Sequence, residues 1–253
     1  MKTIIFLLTI AITTNLFGQE KQTDSQTTDF KKVQISVSFS SDYCFRTLNN
    51  NDGSWSSDLV INSRNNHEIS KLGYTTGLSV IFSLKKNIGI EAGIQYSNKG
   101  YQTKMQDLNF GDSIDPKYGF SFITSGSTPT QLKFIYSDYY IDIPLKINFS
   151  FGKKKISLIT SAGLTTNIFI KETQTSVLVN SDRTDRKTNP TNFDYNKVNI
   201  SPTISVGIDY KINSRMNLRI EPTFRYGVLK IIDAPVTGYL YSGGLNISYY
   251  FGL

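Results

Sequence analysis

Two residue types that carry much of protein chemistry are nearly missing: the 253 residues hold one cysteine and one histidine. Lone Cys44 excludes an internal disulfide and a thiolate metal cluster. Lone His67 excludes multi-histidine zinc sites. Long hydrophobic runs are missing as well. Beyond the N-terminal stretch no segment approaches the roughly 18 to 20 apolar residues that a membrane helix needs, so any membrane span must be made of strands. Clustered charge of one sign is the last absence. The formal net charge is +7, from 27 basic and 20 acidic residues. The basic residues are scattered, and several sit in short turns such as Lys153, Lys154 and Lys155. Solvated turns account for such lysines, and nucleic acid is not an expected partner.

Aromatic and small polar residues are plentiful. Tyrosine and phenylalanine number 15 and 16, against a hydrophobic content of only 39% and a slightly negative mean hydropathy. That mixture suits β-structure. At the N-terminus, Met1 and Lys2 precede an apolar run over 4–12, then Leu16, Phe17, Gly18 and Gln19. This is the layout of a secretory signal peptide over 1–18, cut after Gly18. No cysteine lies near the cut, so a lipoprotein anchor is not expected. Residues 19–32 are polar and aperiodic, a flexible periplasmic leader, and 33–253 form the remaining domain.

Residues 139–151 read YYIDIPLKINFSF. Alternate positions place Tyr139, Ile141, Ile143, Leu145, Ile147, Phe149 and Phe151 on one face and mostly polar residues on the other, the period of a strand with one apolar face. The same alternation recurs over 33–42, 70–84, 88–99, 156–170, 198–210, 217–228 and 239–251. Stretches 46–69, 102–135, 171–197 and 229–238 read as long loops, and 85–87, 152–155 and 211–216 as short turns. The connections therefore alternate long and short without exception. In a soluble sandwich the polar faces would look into bulk water, and aromatics would have no reason to gather at strand ends. Here Tyr96, Tyr210, Tyr226, Tyr239 and Tyr249 lie toward strand ends, as interfacial girdles require, and Gly, Ser and Thr recur on the polar face, as a narrow interior requires. The expected fold is all-β: an eight-stranded antiparallel up-and-down transmembrane β-barrel with short periplasmic turns and long extracellular loops.

The export signal, the segment IDIPLKINF at 141–149 and the glycine-rich end GGLNISYYFGL at 243–253 resemble the PorT-like outer-membrane β-barrel family of Bacteroidota. The likeness spans most of the mature chain in layout, and its specific motif is the short "IP" strand. It implies a bacterial outer-membrane location, eight strands and, by analogy, an accessory role in a secretion or uptake complex. Many such barrels end on an aromatic residue, whereas Phe251 is followed here by Gly252 and Leu253.

The strand register points ten charged residues inward: Asp42, Lys71, Glu91, Lys99, Asp142, Lys146, Asp209, Arg219, Glu221 and Arg225. An eight-stranded barrel has just enough interior for its own side chains, so these are expected to pair into a lumen plug rather than line an open pore. A narrow pore or small-ligand transporter is the alternative. An enzyme is not expected. His67, beside Glu68, is the only candidate base, and an exposed loop histidine explains it more simply. No cofactor or metal is expected, since the loop acids Asp112, Asp115, Asp182 and Asp185 lack the calcium-loop pattern. Outer-membrane lipid is the expected surrounding of a monomeric barrel, and loops 102–135 and 171–197 are the candidate surfaces for a protein partner. Pro144, Pro202 and Pro222 each remove a ladder donor and are read as marks of bulges.

Overall fold

A strand with one apolar face can sit in lipid only if its sheet has no open edge, because an unpaired amide or carbonyl in hydrocarbon costs several kcal/mol. This chain meets the requirement by closing on itself. The computed structural model describes residues 32–108, 129–152, 155–180, 182–191 and 193–253. The expected signal peptide, nearly all of the expected leader, and the loop acids Asp112 and Asp115 lie outside the described residues.

Ten strands and one helix follow in order: β1 (Val33–Asn50), α1 (Trp55–His67), β2 (Glu68–Lys85), β3 (Ile88–Thr103), β4 (Gln106–Asp107), β5 (Gln131–Phe151), β6 (Ile156–Val179), β7 (Thr184–Pro190), β8 (Val198–Lys211), β9 (Met216–Tyr226) and β10 (Val236–Gly252). Eight of them form a ring in which β1 pairs with both β2 and β10, and β5 pairs with both β3 and β6. Every neighbouring pair is antiparallel. Short β4 adds to β5 and β7 adds to β6, both outside the ring.

Burial alternates along each strand as the period demands. In β1, Ser36, Ser38, Ser40 and Asp42 are buried while Ile35, Val37, Phe39 and Tyr43 stand exposed on the outer wall. A buried polar face with an exposed apolar one is the inverse of a soluble protein, and is what a wall in lipid with a polar lumen needs. Stacked or tilted rings mark the wall near the long-loop rim: Tyr96 and Tyr139 at 6.0 Å, Tyr226 and Tyr241 at 6.2 Å.

Above that level the strands run further than the alternation alone indicated. β5 begins at Gln131 and stays paired with β6 out to Val179, and β7 then folds back along β6 from Thr184 to Pro190. Stretches 102–135 and 171–197 are therefore largely sheet rather than loop where they are described. Ile170 is an extra residue, since Tyr139 faces Lys171 and Tyr140 faces Phe169. That bulge turns Glu172 inward.

Stretch 46–69 is also more ordered than a loop. Ser54 caps α1 by accepting from the Ser57 amide at 3.2 Å, Asp58 lies in its first turn, and Arg64 and His67 lie in its last. Caps and the helix dipole hold this element. Only Ser57 of it is buried, so no apolar stripe announces it.

The prolines sit at ladder interruptions, not bulges. The β3–β5 ladder stops at Ala92/Leu145 and resumes at Gln95/Asp142 with register unchanged around Pro144. The β8–β9 ladder skips in the same way between Ser205/Thr223 and Ile208/Ile220 around Pro222, and it begins at Thr203, just past Pro202. Each proline stays paired on its other side, Pro144 with Thr165, Pro202 with Leu164 and Pro222 with Leu245, so the missing N–H interrupts one ladder only.

Candidate functional site: charged lumen and aromatic mouth

All ten inward charges are buried in the lumen. Two acid–base pairs stand directly opposite each other on neighbouring strands. Lys146 Nζ meets Glu91 Oε1 at 2.9 Å, and Arg219 Nε lies 3.5 Å from Asp209 Oδ1. Arg219 also reaches across to Glu91 at 3.6 Å and donates to the Tyr250 hydroxyl at 3.0 Å, its guanidinium 4.2 Å from the Tyr250 ring centroid. Asn148 donates to Glu91 Oε2 at 2.9 Å. Glu91 thereby joins β3, β5, β9 and β10 through one carboxylate.

Nearer the long-loop rim, Arg225 Nη1 donates to Asp42 Oδ1 at 3.0 Å, although β9 and β1 are separated by β10. The reach is possible because Gly244 stands between them in the register, opposite Asp42 on one side and Thr223 on the other. A methyl group there would collide with Asp42 Oδ1 and come within 2.6 Å of the Ser41 carbonyl. Ser40 and Thr75 each donate to Asp42 at 2.6 Å. Lys99 Nζ contacts Asp142 Oδ2 at 3.0 Å as an ion pair without hydrogen-bond alignment, while Asn167 donates to Oδ1 at 2.6 Å.

Two of the ten take no ion pair among the described residues. Glu221 accepts from Ser161 at 3.0 Å and Ser205 at 3.2 Å, and its other oxygen has no partner. Lys71 donates to Asn98 Oδ1 and to the Lys99 carbonyl.

Above the ions lies a group that alternation over 139–151 did not reach. Arg46 pairs with Glu68 and stacks 3.6 Å over Tyr101, whose ring stacks on Tyr136 at 4.7 Å. Tyr101, Tyr140, Ile231 and Leu240 form a buried apolar cluster with Tyr136, Phe169 and Ile232 against it. Between this cluster and the ions is a cavity of about 10 Å³, lined by Lys99, Asn167, Arg225 and Ser242 among others, room for about one water. Glu172 accepts from Thr191 at 2.6 Å and from the Tyr195 hydroxyl. Burial, then that bond to Glu172, raises the Tyr195 phenol above its ordinary range, so it stays a donor. Asp138 stands opposite Glu172 and is buried, with no hydrogen-bond partner for either oxygen among the described residues. Extending the 139–151 period back by one residue would have found Asp138, since it shares parity with Tyr140 and Asp142.

His67 is exposed on α1 with Nδ1 2.6 Å from the Ser63 carbonyl, and Cys44 is a buried free thiol. No cluster of three or more metal-ligating side chains occurs among the described residues.

The profile of the outer membrane protein beta-barrel domain family matches residues 17–233. The chain belongs to that family. It is thus a bacterial outer-membrane β-barrel, whose rim of short turns is periplasmic and whose rim of long connections is extracellular. Among solved structures, several outer-membrane proteins are similar to this chain at low identity. Neisserial surface protein A shares 9% identity over 88% of this chain and 97% of its own, at a TM-score of 0.45. OprG from Pseudomonas aeruginosa shares 9% over 88% and 97%, at 0.42, and Ail of Yersinia pestis 10% over 86% and 98%, at 0.34. None of the curated proteins matches the sequence significantly.

Proposed function

We propose that this outer-membrane barrel is a non-catalytic, partner-binding scaffold of the PorT-like type, with a plugged lumen. One observation carries the reading: the wall rises past the girdle as an extracellular sheet over a filled interior. From Gln131 to Tyr139, β5 extends roughly 27 Å of strand, paired throughout with β6, which β7 lengthens sideways. Long connections held by a rigid sheet are suited to contact another macromolecule. Eight strands leave little lumen, four acids there hold cations, and the space above them fits about one water.

The test is removal of the connection alone. Residues 102–103 and 131–135 belong to strands, so the deletion is confined to 109–128. Affinity capture from the native outer membrane is expected to recover a partner with the full chain and lose it with the deletion, while heat-modifiable gel migration shows the barrel still assembled. Equal capture by both forms would refute the assignment of that surface.

A further inference from the structure

The periplasmic rim is charged with one sign. Lys32 precedes β1, Lys85 and Lys86 close β2, Lys155 precedes β6, and Lys211 and Arg215 bound the β8–β9 turn. Backbone bonds draw these ends into one ring: the Lys32 carbonyl accepts from the Ser83 amide at 2.9 Å, the Lys155 carbonyl from Lys211 at 2.9 Å and the Arg215 carbonyl from Gly252 at 2.8 Å. Lys211 is half-buried and the other five are exposed. None of the six takes an ion pair among the described residues. No acidic side chain among the described residues joins them there, since Glu91 and Asp209, the nearest, face the lumen and are buried.

These six cations carry nearly all of the chain's excess charge. Without them the 27 basic residues would be 21 against 20 acidic ones, and the net charge of +7 would fall to +1. Solubility alone would not sort the signs in this way. At the opposite rim they are mixed, with Asp58 and Arg64 on α1, Arg183 beside Asp185 and Lys230 beside Asp233. A one-sign surface on a rigid ring sets up a field that selects an anionic partner.

The ring also limits what that partner is. Eight strands about 4.8 Å apart close into a ring roughly 16 Å across, too wide for one small anion to touch every cation. Only Lys155 leans on the lipid-facing wall, its amine 5.2 Å from the centroid of outward Tyr210. Lys86 and Arg215 stand in turns, past the last paired residues of their strands, so their charge faces the periplasm rather than the acyl layer. A polymer with repeated carboxylates engages such a ring at several points, and the weak contacts multiply.

We propose that the periplasmic rim docks on peptidoglycan, with Lys85, Lys86, Lys211 and Arg215 holding free carboxylates of its peptide stems. The inference needs the orientation of the barrel and not the partner-binding reading of its extracellular sheet.

Cosedimentation of the full-length protein, in neutral detergent, with protein-free sacculi tests it. The second probe is the same sacculi with their carboxylates converted to amides. Native sacculi are expected to carry the protein down at low salt and the amidated ones to leave it in solution. K86Q/R215Q should weaken sedimentation about fourfold, and adding K85Q and K211Q about 16-fold in all, at about twofold for each exposed charge pair. R64Q/K230Q removes two charges at the extracellular rim and should change nothing. Heat-modifiable migration verifies that every variant folds. Equal sedimentation with both kinds of sacculi, no loss in the fourfold variant, an equal loss in R64Q/K230Q, or release of the bound protein by phosphatidylglycerol added to the micelles would each overturn the proposal.

Discussion

Arg225→Ala is the sharpest probe of the lumen. The substitution removes the only cation among the described residues within 4 Å of Asp42, a carboxylate just 1% exposed, and leaves it two neutral hydroxyl donors, Ser40 and Thr75. Breaking one side of a buried ion pair costs about 3 to 5 kcal/mol, because the remaining charge has neither water nor partner. The two surviving hydrogen bonds, each contributing about 1.5 to 3 kcal/mol to a charged group, place the loss near the lower end, about 3 kcal/mol. Asp42→Asn in the same background removes the stranded charge, so the double variant should recover much of the loss. The assay is urea unfolding of protein refolded into lipid vesicles, followed by heat-modifiable migration. Arg183→Ala is the reference, since the Arg183–Asp185 pair is 66% and 48% exposed and should contribute under about 1 kcal/mol. If Arg225→Ala costs no more than Arg183→Ala, or the double variant is merely additive, the lumen is hydrated and the ion-pair reasoning fails.

Three further substitutions follow from the same geometry. Gly244→Ala should cost about 1 to 3 kcal/mol through collision with Asp42 and the Ser41 carbonyl, whereas Gly243→Ala, with nothing near its added methyl, should cost far less; equal effects in the unfolding assay would contradict the packing. Asp138→Asn replaces a buried carboxylate that has no partner and should stabilise the barrel at pH 8, while Asp142→Asn, which strips Lys99 of its partner, should destabilise it. Loss of stability in both would show that Asp138 is paired after all. His67→Ala should leave proteolysis and lipid-acylation assays at the level of the unsubstituted protein, and a lost activity there would reinstate an enzymatic reading.

Period alone carried the ring of eight strands and the inward parity of all ten lumen charges, because a strand in this barrel has only two faces and lipid demands that one be apolar. Partner identity was less legible. Lys146 with Glu91 follows from simple opposition, but Arg225 with Asp42 depends on a register in which Gly244 leaves an opening across β10, and no local pattern encodes that. Helix α1 escaped because its ends are capped and its sides carry no apolar stripe. The mouth escaped for another reason. Above the girdle both faces of the sheet leave lipid, the apolar-out rule lapses, and the sequence from Lys171 to Val179 loses the alternation by which strands were recognised. The prolines read as bulges because a strand can accommodate a missing donor that way; the unchanged register on both sides shows a local interruption of one ladder instead.

Planar-bilayer recording tests the filled lumen most directly. Purified protein reconstituted at known density should give a flat trace across the accessible voltage range, and weakening the seal with Arg46→Ala and Tyr101→Ala together should leave it flat, because the ions below still fill the barrel. A reproducible open level in the unsubstituted protein would contradict the plug and make the barrel a narrow pore.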